Sequence, residues 1–180
     1  MEELPLHKAF MWLEPGPVVL VSTHDGTRAN VMTVTWTMVR SFAAEFALTT
    51  GAWNHSFAAL KAQRECVLAI PGADLIDTVL GVGTCSGRET DKFARFPLTP
   101  LPASQVGAPL IAECLANIEC RVVEIVERLD LVLLEGVAAW VTPARADHRL
   151  LHAKGDGSFT ADGEAFERRE AMRPRLPPGV

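Results

Sequence analysis

The sequence predicts a mainly β protein with a few helices, arranged as a small antiparallel barrel with the helices packed around it. Three observations lead there. Short β-branched runs outnumber stretches with helical periodicity, and the helical ones fall mainly between Ser56 and Phe96. An Asp-Gly pair, Asp25-Gly26, joins the first two β runs as a tight hairpin. Two long apolar segments, Glu113–Val126 and Leu131–Val141, meet at a turn over Glu127–Asp130 and suit a curved hairpin better than a flat sheet. The regular βαβ alternation of a doubly wound fold is missing.

In order along the chain, Met1–Pro15 reads as an arm or short helix with Phe10, Met11, Trp12 and Leu13 available for docking, and Pro15-Gly16-Pro17 stops it. Val18–Thr23 is a strand by its β-branched content. Its partner, Asn30–Trp36, alternates Val31, Thr33 and Thr35 against Met32, Val34 and Trp36, so one face is apolar and the other carries hydroxyls. A sheet with a wet or ligand-facing side produces such a pattern. Glu45–Thr50 is a further strand, and Ser56–Gln63 a short helix capped by Asn54 or Ser56. Glu65–Ile70 returns as a strand. Asp74 is expected to cap a second helix that buries Leu75, Ile76, Val79 and Leu80 and ends around Gly81–Gly83. Four prolines make 97–109 an extended connection. Asp147–Ala153 is expected to be helical, and Asp156-Gly157 and Asp162-Gly163 bracket Ser158-Phe159-Thr160. The tail from Arg168 is charged and proline-rich.

Composition bounds the function. With 180 residues, 48% of them apolar, the chain is expected to be one domain over 1–180, its core about 15–160 and its tail 168–180. A net charge of -5 without a basic run argues against nucleic acid as a partner. The acidic, proline-containing start does not resemble a signal peptide, and no apolar run is long enough to span a bilayer. Cys66, Cys85, Cys114 and Cys120 fit no Cys-x-x-Cys pattern and read as free thiols in a reducing compartment, which places the protein in the cytoplasm.

The stretch Ser86–Phe93 is the richest in chemistry. Small residues precede two cations, Arg88 and Lys92, four apart and so on one face of a short helix capped by Thr90. Such a turn presents two positive side chains and backbone N–H groups to an anion; the plainer reading is a solvated helix start. Ser56 is either a simple N-cap or a hydroxyl contact for a phosphate at a helix start. Trp36 is either packing or a flat apolar wall. Gly81-Val82-Gly83 does not make a dinucleotide fingerprint, because its third glycine comes late and a helix precedes it. His148 and His152 have the spacing of a metal pair on a helix but no third ligand, so no metal site is assigned. Taken together, Asn30, Thr33, Thr35, Trp36, Ser56, Arg88 and Lys92 offer what a flavin mononucleotide asks for: an apolar slab, hydroxyl and amide partners, and cations for a phosphate.

Four segments occur in an order that resembles flavin reductase-like proteins of the flavoredoxin type: Asn30–Trp36, Asn54-His55-Ser56, Gly83–Phe93 and Ala108–Cys114. The most specific is Thr-x-Ser-Gly-Arg-x-x-Asp-Lys-Phe at Thr84–Phe93, and the resemblance spans roughly Pro15 to Phe159. It implies an FMN-binding split β-barrel, a homodimer with the flavin near the subunit interface, and flavin contacts at Asn30, Trp36, Ser56, Lys92 and Phe159; Thr33 and Arg88 are added on chemistry. Two positions depart from the pattern. Asn54 stands where relatives often carry a basic residue, and Leu131 where a histidine can meet the flavin. The expected activity is transfer of reducing equivalents from NADH or NADPH through FMN to a small-molecule or protein acceptor, with no residue nominated as catalytic. The alternative is a non-enzymatic FMN-binding electron carrier.

Overall fold

The computed structural model describes residues 1–180. After a two-residue strand, β1 (Glu2–Glu3), and a 3-10 helix (Leu6–Trp12), strands β2 (Val19–His24), β3 (Ala29–Val34), β4 (Thr37–Ser41) and β5 (Glu45–Thr49) follow in succession. Helix α1 (Ser56–Gln63) leads to β6 (Glu65–Ile70); α2 (Ile76–Thr84) and α3 (Lys92–Arg95) come next, then β7 (Pro100–Leu101) and β8 (Leu110–Ile111). The long hairpin β9 (Ala116–Val126) and β10 (Leu131–Val141) is followed by β11 (Leu151–Ala153), β12 (Phe159–Ala161) and a short helix α4 (Arg169–Met172).

One antiparallel sheet runs β3-β2-β6-β9-β10-β5-β4, with β1 on β10. Its two ends, β3 and β4, are consecutive in sequence yet not paired, so the sheet curls into a barrel split at the Thr35-Trp36 corner. Register shifts in the β9–β10 pair, between Leu133 and Leu134 and between Gly136 and Ala138, give that hairpin its curvature. Alternation then sorts the side chains. Val19, Val21, Met32, Val34, Phe46, Leu48, Cys66, Leu68, Ile118 and Leu134 fill the interior together with Phe57 and Leu60 of α1 and Phe10 and Leu13 of the arm. Val18, Leu20, Val31 and Ala69 face the other way and bury Val79 and Val82 of α2.

Several elements differ from expectation. Strand β4 has no strong β signature, because it is an edge strand whose Met38 and Arg40 point to water. Helix α2 starts through a 3-10 turn at Ala73–Leu75 and runs to Thr84; Asp74 does not cap it and pairs with Arg145 instead. The buried side of α2 is Thr78, Val79 and Val82, while Leu80 is exposed. Residues 147–153 are not helical: Leu151–Ala153 pairs with Phe159–Ala161, a hairpin closed by Asp156-Gly157. Within the 97–109 connection Pro100–Leu101 pairs with Leu110–Ile111 just beyond it, a small β7–β8 ladder. No helix is long and apolar enough to cross a membrane.

A cationic hollow beside two exposed indoles

Strand β3 and helix α2 build the site's frame. Thr33 Oγ1 donates to the Val79 carbonyl at 2.7 Å, which ties the hydroxyl face of β3 to the helix. Beyond Thr84 the chain folds back on itself. The N–H groups of Glu89 and Thr90 donate to the Ser86 carbonyl at 3.2 and 3.0 Å, and the Ser86 hydroxyl accepts from Arg88 N–H. Asp91, not Thr90, then caps α3, its carboxylate accepting from Ala94 N–H at 3.1 Å.

That cap places Lys92 at the first position of a one-turn helix and turns its side chain inward. Only 4% of Lys92 is exposed. Its ammonium donates to the Val82 carbonyl at 2.7 Å and has no carboxylate within ion-pair distance. Burial holds its pKa below the ordinary lysine range, and the nearby Cys85 only partly opposes this. Two of the three ammonium N–H bonds remain for another acceptor.

Gly87 closes the back of the loop. A methyl group there would lie 2.3 Å from Asn30 Oδ1, so only glycine lets the loop backbone approach β3 this closely. Asn30 Nδ2 donates to Ser56 Oγ at 2.8 Å, and Ser56, at the start of α1, is fully buried. Asn30 Oδ1 is buried without a hydrogen-bond partner. Asn54 Oδ1 accepts from Ser56 N–H at 3.2 Å and so shapes the turn into α1.

Around Lys92 these pieces enclose a hollow of about 300 Å³, walled by Met32, Thr33, Asn54, His55 and the loop from Val82 to Gly87. A second hollow of about 180 Å³ shares Thr33, Trp53 and Asn54 with it and adds Trp36, Thr49 and Thr50. Trp36 and Trp53 stand at its rim, 69% and 64% exposed. Larger hollows of about 470 and 540 Å³ lie against the N-terminal arm, but neither contains a buried charge. For an anionic ligand the unpaired cation outweighs the volume.

The residues singled out in the sequence separate into two groups. Thr33 and Lys92 line the first hollow, Trp36 the second, and the Asn30–Ser56 pair lies directly behind Gly87. Trp36 does not continue the alternation of β3: it sits on the corner after the strand ends, its carbonyl accepting from Thr49 N–H. Arg88 is exposed on the turn before α3, so it does not share a helix face with Lys92 and lines neither hollow. Phe159, on β12, packs against the cluster that buries α2 and also lines neither hollow. Leu131 pairs with Thr49 at the start of β10. Trp53, His55, Cys85 and Ser86 line the hollow without having been singled out as site residues; His55 lies in the segment Asn54-His55-Ser56 and Cys85 and Ser86 in Gly83–Phe93, while nothing in the sequence marked Trp53.

The flavin reductase like domain matches residues 11–159. The chain belongs to that family. An uncharacterised protein of Archaeoglobus fulgidus is 35% identical over 151 residues, covering 78% of this chain and 85% of its own. Among solved structures, an FMN-binding domain of a flavin reductases-like enzyme from Shewanella baltica superposes with a TM-score of 0.85 at 23% identity, over 92% of this chain and 96% of the other. The flavoredoxin of Desulfovibrio vulgaris superposes with a TM-score of 0.78 at 22% identity, over 85% and 90%. Both carry the fold found here, a mainly antiparallel barrel with few helices.

Proposed function

We propose that this flavin reductase-like chain is an FMN-dependent oxidoreductase that takes reducing equivalents from NADH or NADPH and passes them to an acceptor. The observation that carries the reading is Lys92, a buried ammonium with no carboxylate partner on the wall of a hollow. A buried charge is costly unless something pairs with it, and a phosphate is the partner this site fits. Family membership and the FMN-binding solved structure agree in direction.

In this reading Lys92 and the Ser86-Gly87 turn hold the phosphate. Thr33 and Asn54, shared by both hollows, line the passage between them. Trp36 and Trp53 flank the place for a flat ring and keep water from it. FMN supplies the hydride-accepting chemistry when bound. The chain's own residues orient and exclude solvent, and none needs to move a proton for hydride transfer. Arg88 and Phe159 join the flavin contacts only if assembly brings them there. Trp36 and Trp53, side by side at the second hollow, and Met38 are each more than half exposed, and we take the protein as a homodimer of one 1–180 domain working in the cytoplasm.

The test is to saturate the purified protein with FMN, then add NADH or NADPH anaerobically and follow flavin absorbance. Bleaching at a catalytic rate is the expected result. Tight FMN binding without bleaching by either nicotinamide would favour the carrier, and no FMN binding would reject both. Light scattering on the same sample is expected to give twice the mass of one chain.

A further inference from the structure

One of the two hollows by the N-terminal arm has chemistry of its own. It measures about 470 Å³, within the roughly 300–1,000 Å³ of small-molecule sites. The arm's 3-10 helix, the end of β10 and the stretch leading into β11 enclose it. Leu4, Met11, Trp12, Leu115, Val141 and Leu150 supply apolar walls. Three polar features break this lining. Lys8 is half-buried and makes no hydrogen bond or ion pair to another side chain. Thr142 Oγ1 is buried with no hydrogen-bond partner, although its hydroxyl both donates and accepts. His148 stands exposed at the edge.

One carboxylate, Asp162, also lines the cleft, and both its oxygens are engaged. Oδ1 meets His152 Nε2 at 2.9 Å, and Oδ2 accepts from Leu150 N–H at 2.9 Å. Lys8 is therefore the charged side chain of this cleft left without a hydrogen-bond or ion-pair partner, and Thr142 the hydroxyl left without one.

We propose that this cleft is a second ligand site, separate from the Lys92 hollow, that binds a small monocarboxylate with an apolar body. The carboxylate meets Lys8 and receives the Thr142 hydroxyl proton in a hydrogen bond; the apolar body lies on Trp12, Leu115 and Leu150. An anion suits the site because Lys8 has no ion-pair partner, and a single charge suits it because the lining holds no second lysine or arginine. The two hollows have no lining residue in common, so this site stands whether or not the other binds FMN.

Calorimetric titration of the full chain with octanoate, and separately with 1-octanol, tests the proposal, with methyl NMR locating the bound molecule. The expected result is one octanoate per chain, bound about 10-fold more tightly than octanol, the step a charge-assisted contact of about 1.4 kcal/mol provides. Methyl shifts should concentrate at Leu4, Leu115, Val141 and Leu150. Lys8→Glu should remove the preference for the acid and leave octanol binding unchanged, which also certifies that the variant is folded. Equal affinity for acid and alcohol, unaltered octanoate binding by Lys8→Glu, no binding at about 5 mM, or shifts centred on Val82 instead would each overturn it.

Discussion

Glu119 and Lys92 are both buried charges, and the molecule treats them in opposite ways. Glu119 is fully buried on β9, and four donors meet its carboxylate: Ser104 N–H and hydroxyl, Gln105 N–H and the Trp140 indole, at 2.6 to 3.0 Å. Burial alone would raise its pKa, yet those hydrogen bonds hold it below the usual carboxylate value. Lys92, on the loop side of β3, has one carbonyl. The first charge is structurally satisfied and fastens the 97–109 connection to the barrel. The second carries an unmet demand, and such demands gather where ligands bind.

Predictions follow from breaking each arrangement. Glu119→Ala strands several donors at once and should cost about 2–4 kcal/mol in urea unfolding, with the cost kept down because Ser104 and Gln105 can reach water. Ligand binding at Lys92 should survive in the molecules that fold. If stability did not change, the contrast between a satisfied and an unsatisfied charge would lose its first half.

Gly87→Ala forces a methyl against the Asn30 amide and should cost about 1–3 kcal/mol, together with a weaker flavin affinity. An unperturbed melt and titration would show that the loop does not need its close approach to β3.

The two charges also predict different pH windows. Glu119 has a lowered pKa in the folded state, so its stabilisation is complete above the unfolded carboxylate pKa and fades as pH falls through the folded one. Lys92 is lowered as well, so between its folded and unfolded values the unfolded chain holds more protons and stability rises with pH. Denaturation midpoints measured across pH should therefore show an acid loss that Glu119→Gln diminishes and an alkaline gain that Lys92→Met removes.

The smallest effect belongs to Arg88, exposed and outside both hollows. Arg88→Ala should change stability by less than about 0.5 kcal/mol. A large loss of FMN affinity in this variant would sharpen the account in another direction, by showing that assembly carries Arg88 to the ligand.

The strands that lie wholly in the barrel were legible because alternation or continuous β-branched runs mark them, as in Val19–His24 and Glu65–Ile70. Edge strand β4 was not, since Thr37–Ser41 mixes Met38 and Arg40 on a face that meets water and has no core to declare it. The helix expected over Asp147–Ala153 failed for a related reason: a spacing of charges and apolar residues fits a helix, but pairing with Phe159–Ala161 overrode it. Lys92 was legible as a cation in a motif. Its burial was not, because that depends on Asp91 taking the cap and on Val82 supplying a carbonyl from another element. Trp53 was silent for the same reason: its exposure beside Trp36 is a property of two turns meeting in space.

Lys92 is kept buried and without a carboxylate partner for an anionic ligand rather than for the fold. Lys92→Met separates the two by titrating FMN into variant and wild type while melting both. The expected result is an FMN affinity weaker by about 1–3 kcal/mol with stability equal to or above wild type, since an apolar chain of similar size removes the desolvation cost. Unchanged affinity with a large drop in stability would contradict it and make Lys92 a structural residue like Glu119.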